Sequence, residues 1–73
     1  MTDLVQSHQC PLTPRQIECI RWASVGKTHA EISKIIGVSP FTVYRFFQDA
    51  RERADAVNLP SLVAKSLRAG WIN

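Results

Sequence analysis

This sequence of 73 residues has only two cysteines, Cys10 and Cys19, and no long apolar run. A membrane-spanning helix needs roughly 18 consecutive apolar residues, and a secretory signal needs an apolar segment near the start of the chain. The sequence has neither, so we expect a cytoplasmic protein without a membrane segment. Cys19 lies in an apolar stretch and is expected to be a small buried side chain. The sequence leaves open whether the two cysteines form a disulfide with each other.

Residues for catalysis or metal binding are also scarce. His8 lies near Cys10, but the sequence lacks the paired spacing of ligands that a zinc site needs. No Ser/His/Asp or Cys/His set stands out, and His29 follows a capping threonine, which predicts a surface position. A helical chain of this length has little volume for a substrate pocket. These absences argue against a metal site, an enzyme, a cofactor and a small-molecule ligand in this chain.

The balance of charge is mildly basic. Nine Lys and Arg residues against six Asp and Glu give a formal net charge of +3 and an isoelectric point near 9.3. Such an excess is compatible with nucleic acid, whose binding energy comes largely from neutralised phosphates. Many basic proteins bind no nucleic acid, however, so charge alone does not decide the function.

The length allows one domain with one modest core. Residues 1–11 are polar and aperiodic and are expected to form a flexible tail. Residues 12–73 are expected to form the domain. Their apolar residues recur at helical spacing, without repeats or strand-like alternation, so the sequence predicts an all-α fold of four short helices.

Capping residues mark where these helices begin and end. Three starts have the N-cap and first-turn residues typical of helices: Thr13 with Pro14 and Gln16, Thr28 with Glu31, and Ser39 with Pro40. Gly26 and Gly37 are expected to close the first two helices. Asn58-Leu59-Pro60 is expected to break the chain, and a last helix is predicted from Ser61 to Ala69.

The second and third predicted helices form the most informative feature. They are joined by a very short turn around Gly37, which is the signature of a helix-turn-helix over about Thr28 to Ala54. In that arrangement the second helix of the pair lies in the DNA major groove. Its apolar residues fall on one face: Val43, Phe47, Ala50 and Ala54. The opposite face, near the start of the helix, carries Phe41, Tyr44, Arg45, Gln48 and Asp49. Of these, Tyr44, Arg45 and Gln48 are predicted to read bases, since Arg pairs with guanine and Gln with adenine.

Other polar residues are candidates for phosphate contacts. Hydroxyl groups at helix N-termini and basic residues beside the predicted reading helix suit this role: Lys27, Thr28, Ser39, Thr42, Arg51 and Arg53. Each also has a purely structural interpretation. Thr28 and Ser39 are caps in any helical protein, and Arg51 and Arg53 could be ordinary solvated positions.

These residues together resemble the C-terminal DNA-binding domain of LuxR-type transcriptional regulators. The resemblance runs without a gap from about Leu12 to Ile72 and rests on the following segments: Leu12-Thr13-Pro14-Arg15, Trp22, Gly26-Lys27-Thr28, Glu31-Ile32, Ile35 to Ser39, Thr42-Val43, Ala50-Arg51 and Val63 to Ile72. The last of these is similar to the autoinducer-responsive, quorum-sensing branch. The family's sensing domain is not among these residues, and the sequence leaves open whether the chain is a stand-alone protein or an excised domain.

The resemblance implies a four-helix fold that binds double-stranded DNA as a sequence-specific transcriptional regulator. It implies that the helix Pro40–Ala54 enters the major groove, that Lys27, Thr28, Thr42 and Arg53 contact phosphates, and that Tyr44, Arg45 and Gln48 read bases. It further implies a homodimer on an inverted repeat, formed through the last helix, with Leu62, Ser66 and Ala69 as its dimer face.

Several residues depart from the family's pattern. Phe41 stands where Lys or Arg is usual, Phe46 where His is common, and Asp55 where Gly ends the third helix. Exposed aromatic residues often mark protein contacts. The alternative function is therefore a helix-turn-helix module that has lost its DNA affinity and binds a protein, either a full-length LuxR-type regulator or RNA polymerase.

Overall fold

A computed structural model describes residues 10–73 as four α-helices without a strand. The helices are α1 at Pro14–Ser24, α2 at His29–Ile36, α3 at Pro40–Ala54 and α4 at Leu59–Arg68. The predicted all-α fold is confirmed. Most of the expected N-terminal tail, residues 1–9, lies outside the described residues. Within residues 10–73, no helix has both the length and the apolar character required to cross a membrane.

Side-chain caps fix the starts of the first three helices, as the sequence predicts. In α1 the Thr13 hydroxyl accepts from the Gln16 N–H at 3.2 Å, and the Gln16 side chain accepts from the Thr13 N–H at 2.9 Å. Thr28 and Glu31 form the same reciprocal pair at α2, at 3.1 and 2.8 Å. At α3 the Ser39 hydroxyl accepts the first-turn backbone bond. Each cap pairs backbone donors that a helix leaves unsatisfied.

The start of α4 differs from the predicted one. The helix spans Leu59–Arg68 rather than Ser61 to Ala69, because Asn58 is its N-cap and accepts from the Ser61 N–H at 2.8 Å. Pro60 therefore lies inside the first turn, where a missing N–H costs no intrahelical bond. The Asn58-Leu59-Pro60 segment starts the last helix instead of interrupting the chain.

One core joins the four helices. It consists of apolar side chains with at most 8% exposure: Leu12, Cys19, Ile20, Ile32, Ile36, Val43, Phe47, Ala50, Ala54, Leu62 and Ile72. α3 packs against all three other helices and is the centre of the domain. The C-terminal residues fold back after α4, where the N–H groups of Trp71 and Ile72 both bond to the Ser66 carbonyl, and Ile72 joins the core. Both cysteines are free thiols, so the disulfide that the sequence left open does not form in this structure. Cys19 is fully buried.

Candidate nucleic-acid interface

The turn between α2 and α3 has three residues, Gly37 to Ser39. Gly37 adopts a left-handed conformation with φ of 76°, which glycine accommodates without steric cost. The N–H groups of Gly37 and Val38 bond to the Ser33 carbonyl at 2.9 and 3.0 Å. These bonds close α2 directly before Ser39 caps α3. The two helices thus have the short glycine-containing turn of a helix-turn-helix.

The inner stripe of α3, defined as Val43, Phe47, Ala50 and Ala54, is buried as the sequence predicts. None of the four side chains is more than 4% exposed. An α-helix turns by about 200° over two residues. Residues two positions before each member of the stripe therefore lie on the opposite side of α3 and face away from the core.

That opposite side is the outer face, defined as Phe41, Arg45, Gln48 and Glu52. All four are exposed. Together with Asp49 and two flanking side chains, they line an open depression of about 470 Å³. The sequence predicts Phe41, Arg45 and Gln48 on this side of α3. Glu52 was not predicted there, although it continues the same spacing of 4, 3 and 4 residues as the inner stripe.

Tyr44 lies at the edge of α3 that faces α2. It is 47% exposed, and its ring centroid is 6.5 Å from that of His29. His29 stacks on Phe47 with centroids 5.0 Å apart, so it lies at the surface as predicted but is only partly exposed. The stacking on the core residue Phe47 explains why His29 is partly buried although it lies in the first turn of α2. Tyr44 therefore lies at the edge of the outer face, where it lines a pocket together with Gln48, one helical turn further on.

The N-terminal phosphate candidates lie at the beginnings of α2 and α3. Lys27 and Thr28 are exposed immediately before α2. Ser39 and Thr42 have their hydroxyl oxygens 3.0 Å apart at the start of α3. Helix N-termini present unpaired N–H groups and a partial positive charge, which favours an anion. The arrangement is chemically suited to phosphate.

Arg51 and Arg53, in contrast, have partners within the domain. Arg51 Nη1 donates to the Val57 carbonyl at 3.1 Å, which holds the loop between α3 and α4. Arg53 Nε donates to Asp49 Oδ2 at 2.7 Å, and its Nη1 donates to the Pro11 carbonyl at 3.2 Å. Both guanidinium groups contribute to the fold. The sequence does not indicate their bonds to the Val57 and Pro11 carbonyls, although the i,i+4 spacing of Asp49 and Arg53 is visible in it.

Asp49 is the centre of a polar bridge between α1 and α3. Its Oδ2 accepts hydrogen bonds from Gln16 Nε2 and from Arg53 Nε. The Gln16 bond, and next the Arg53 bond, lower the pKa of the Asp49 carboxyl. Asp49 is therefore charged at neutral pH, and with Glu52 it adds negative charge beside the outer face.

The predicted dimer face on α4 needs correction. Leu62 and Ser66 are fully buried in the core of their own domain, and the Ser66 hydroxyl donates to the Leu62 carbonyl at 2.7 Å. Neither side chain presents a surface to a partner, because this face of α4 packs on the rest of the chain. Ala69 is exposed at the end of the helix. The apolar surface of α4 lies on another side, where Leu67 is 49% exposed.

Comparison with known proteins gives consistent matches. Residues 10–65 match the family described as bacterial regulatory proteins, luxR family. The chain is 40% identical over 62 residues to the HTH-type quorum sensing-dependent transcriptional regulator VjbR of Brucella ovis, which covers 85% of this chain and 24% of the relative. It is 43% identical over 61 residues to the regulator RpaR of Rhodopseudomonas palustris, covering 84% and 25%. It is 37% identical over 62 residues to the transcriptional activator LuxR of Aliivibrio fischeri, covering 85% and 25%. The chain spans about a quarter of the length of these relatives.

Proposed function

This chain belongs to the luxR family of bacterial regulatory proteins, and we propose that it is a sequence-specific DNA-binding transcriptional regulator that reads the major groove with α3. The relatives are named as transcriptional regulators or activators, several of them quorum sensing-dependent. We propose that this chain serves the same kind of regulation, in the cytoplasm and without enzymatic activity.

The observation that supports this proposal best is the two-sidedness of α3. The inner stripe fixes the helix to three others, while the outer face is free for a ligand. The major groove admits one α-helix and presents a distinct donor and acceptor pattern for each base pair. Arg45 can donate two bonds to guanine O6 and N7, and Gln48 can pair with adenine N6 and N7. Tyr44, at the edge of the helix, is suited to a flanking base or sugar.

The proposed phosphate contacts surround this helix. Lys27 and Thr28 would contact one stretch of backbone and Ser39 with Thr42 another, because both pairs lie at helix N-termini. Arg51 and Arg53 are proposed as secondary contacts. A guanidinium has five donors, so the internal bonds of these residues leave donors for a phosphate.

We further propose that the chain binds as a homodimer through the exposed side of α4. An apolar groove of about 430 Å³ runs between α4 and the end of α1, and it is lined by Ala23, Ser24, Leu59, Pro60, Val63, Ala64 and Leu67. A two-fold dimer uses the same patch on both subunits and matches an inverted-repeat site. Ala69 lies at the end of the same helix and, unlike Leu62 and Ser66, is exposed.

A protein-binding module is the second candidate function. Phe41 is 66% exposed on the outer face, and the carboxylates of Asp49 and Glu52 give that side of α3 negative charge, which repels a polyanion. Both features suit a protein surface, such as that of a LuxR-type regulator or RNA polymerase, better than a polyanion.

A salt titration separates the two functions. The affinity of the chain for a random-sequence duplex is measured by fluorescence anisotropy from about 50 to 200 mM salt. A regulator that contacts phosphates shows log affinity falling linearly with log salt. Absence of duplex binding at about 50 mM salt by a chain with a helical circular dichroism spectrum contradicts the DNA-binding proposal. Retained binding to a purified regulator or polymerase then supports the protein-binding module.

A further inference from the structure

Phe41 is an exposed aromatic residue, and packing in the core does not explain why this position is aromatic. It is the second residue of α3, lies on the outer face and is 66% exposed. Exposing an apolar ring to water is unfavourable. The Phe41 ring is not part of the core, so packing in the core does not offset this exposure. Its position near the N-terminal end of α3 is where a groove-binding helix approaches base edges most closely.

Phe41 also has a specific neighbour. The guanidinium carbon of Arg45, one helical turn further on, lies 5.9 Å from the centroid of the Phe41 ring. This distance is within the range of a cation–π interaction. A long arginine side chain otherwise samples many rotamers, and ordering it on binding is unfavourable. The ring therefore restricts Arg45 before any ligand arrives.

The two side chains together match the chemistry of adjacent base pairs. Arginine recognises guanine through two parallel hydrogen bonds, and the thymine 5-methyl is the apolar group on the major-groove edge of the bases. Stacked base pairs are about 3.4 Å apart along the duplex. An aromatic ring within 6 Å of a guanidinium can therefore reach the base pair next to the one that the guanidinium contacts.

We propose that Phe41 is a specificity-determining residue that holds Arg45 for a guanine and packs its ring against the methyl group of a thymine in the neighbouring base pair. This inference rests on the proposed DNA-binding function. It assigns the exposed ring a DNA partner rather than a protein partner. It also gives an uncharged residue a use at this position, because an apolar ring can contact a thymine methyl group.

The test uses duplexes that the wild-type chain recovers from a random-sequence pool. In a recovered duplex, the thymine beside the conserved guanine is replaced by deoxyuridine, which removes only the methyl group. Loss of one buried methyl contact is expected to weaken wild-type binding about fourfold. Phe41→Ala is expected to bind the thymine and deoxyuridine duplexes equally. Val57→Ala removes an 81% exposed apolar side chain beyond the C-terminal end of α3 and should behave as the wild type.

A second variant gives an independent readout. Phe41→Lys is expected to lose the discrimination between thymine and deoxyuridine and to steepen the salt dependence by about one unit of slope, because it adds a phosphate contact. Equal weakening of wild type and Phe41→Ala by deoxyuridine overturns the assignment of Phe41. Recovered duplexes without a thymine beside the guanine also overturn it. If the wild type recovers no duplex at all, the proposed function fails first, and the assignment fails with it.

Discussion

The side-chain amide of Gln16 in α1 donates a hydrogen bond to Oδ2 of Asp49 in α3, 33 residues further along the chain. The same amide uses its oxygen to accept from the Thr13 N–H and so caps α1. Gln16 is only 3% exposed. One buried, uncharged side chain thus fixes the start of α1 and ties that helix to the side of α3 next to the outer face.

Gln16→Glu is expected to lower the free energy of unfolding at neutral pH. The substitution keeps the capping oxygen but replaces the amide donor with a carboxylate that faces Asp49. Two carboxylates at this separation repel each other, and one of their pKa values rises. Urea unfolding should therefore show a lower midpoint than the wild type at pH 7 and a smaller difference at pH 5, where the added carboxyl takes up a proton.

The double variant Gln16→Glu with Asp49→Asn is the matched control, because the new amide can donate to the new carboxylate. It should recover much of the loss. In the wild type the lowered Asp49 pKa stabilises the fold above the pKa of an unfolded-chain aspartate, about 3.9, and this stabilisation is lost as the pH falls through the lowered value. A Gln16→Glu variant as stable as the wild type at pH 7 would show that the bridge is unimportant.

Asp55→Gly is expected to stabilise the domain by about 0.5–1 kcal/mol. Asp55 ends α3 in a left-handed conformation with φ of 56° and ψ of 49°, which disfavours residues with a Cβ atom. Glycine adopts it freely, although its greater freedom in the unfolded chain offsets part of the gain. Asp55→Ala is the control and should not stabilise, because alanine keeps the Cβ atom and tolerates the left-handed conformation less well than aspartate. The free energies come from urea unfolding at pH 7, and a glycine variant below the wild type contradicts the prediction.

Cys19 is expected to resist alkylation in the folded chain. Burial, with a smaller contribution from Glu18, raises the pKa of the Cys19 thiol to about 11, so almost no thiolate forms at pH 8. Cys10 is only half-buried and should react. Mass spectrometry after brief iodoacetamide treatment should show modification at Cys10 alone in the native state, and at both cysteines in urea. Rapid native labelling of Cys19 would mean that the core opens readily around α1.

Local sequence signals predict much of this fold. The caps at Thr13, Thr28 and Ser39 act over three or four residues, so their chemistry is visible in the sequence and their helices begin where predicted. The turn at Gly37 and the inner stripe follow from the same local rules. The helix-turn-helix could therefore be identified before any packing was known.

Features that depend on packing between helices were missed. The family resemblance implies that Leu62 and Ser66 form a dimer face, but both side chains are buried in the core of their own domain. The sequence of α4 does not reveal whether an apolar face packs on the chain's own core or on a partner. The bond between Gln16 and Asp49 joins residues far apart in sequence and leaves no local pattern. The bond from Arg53 to the Pro11 carbonyl also arises from tertiary structure. The ion pair of Arg53 with Asp49, in contrast, has the i,i+4 spacing of a helix and could have been expected from the sequence.

Lys27→Ala is expected to weaken binding to all duplexes alike and to reduce the slope of log affinity against log salt by about one. Lys27 is exposed before α2, where its charge can neutralise one phosphate without reading a base. Arg21→Ala also removes one positive charge, but from the exposed side of α1 beside Trp22 and Asn73. It should leave the slope closer to the wild-type value. Equal slopes for wild type and Lys27→Ala contradict a phosphate contact at this residue.

Arg45→Ala is expected to relax specificity at one base pair and to weaken binding to the selected duplex by roughly 1–3 kcal/mol, with a much smaller effect on random duplex. Arg45 is exposed on the outer face, and its two parallel donors match guanine.

Arg45→Lys separates charge from geometry, because lysine keeps the positive charge and lacks the planar fork. Lysine should preserve most of the random-duplex affinity while recovering only part of the base preference. Pool selection with each variant measures that preference directly. If Arg45→Ala selects the same sequences as the wild type, Arg45 reads no base, and the assignment of this residue is wrong.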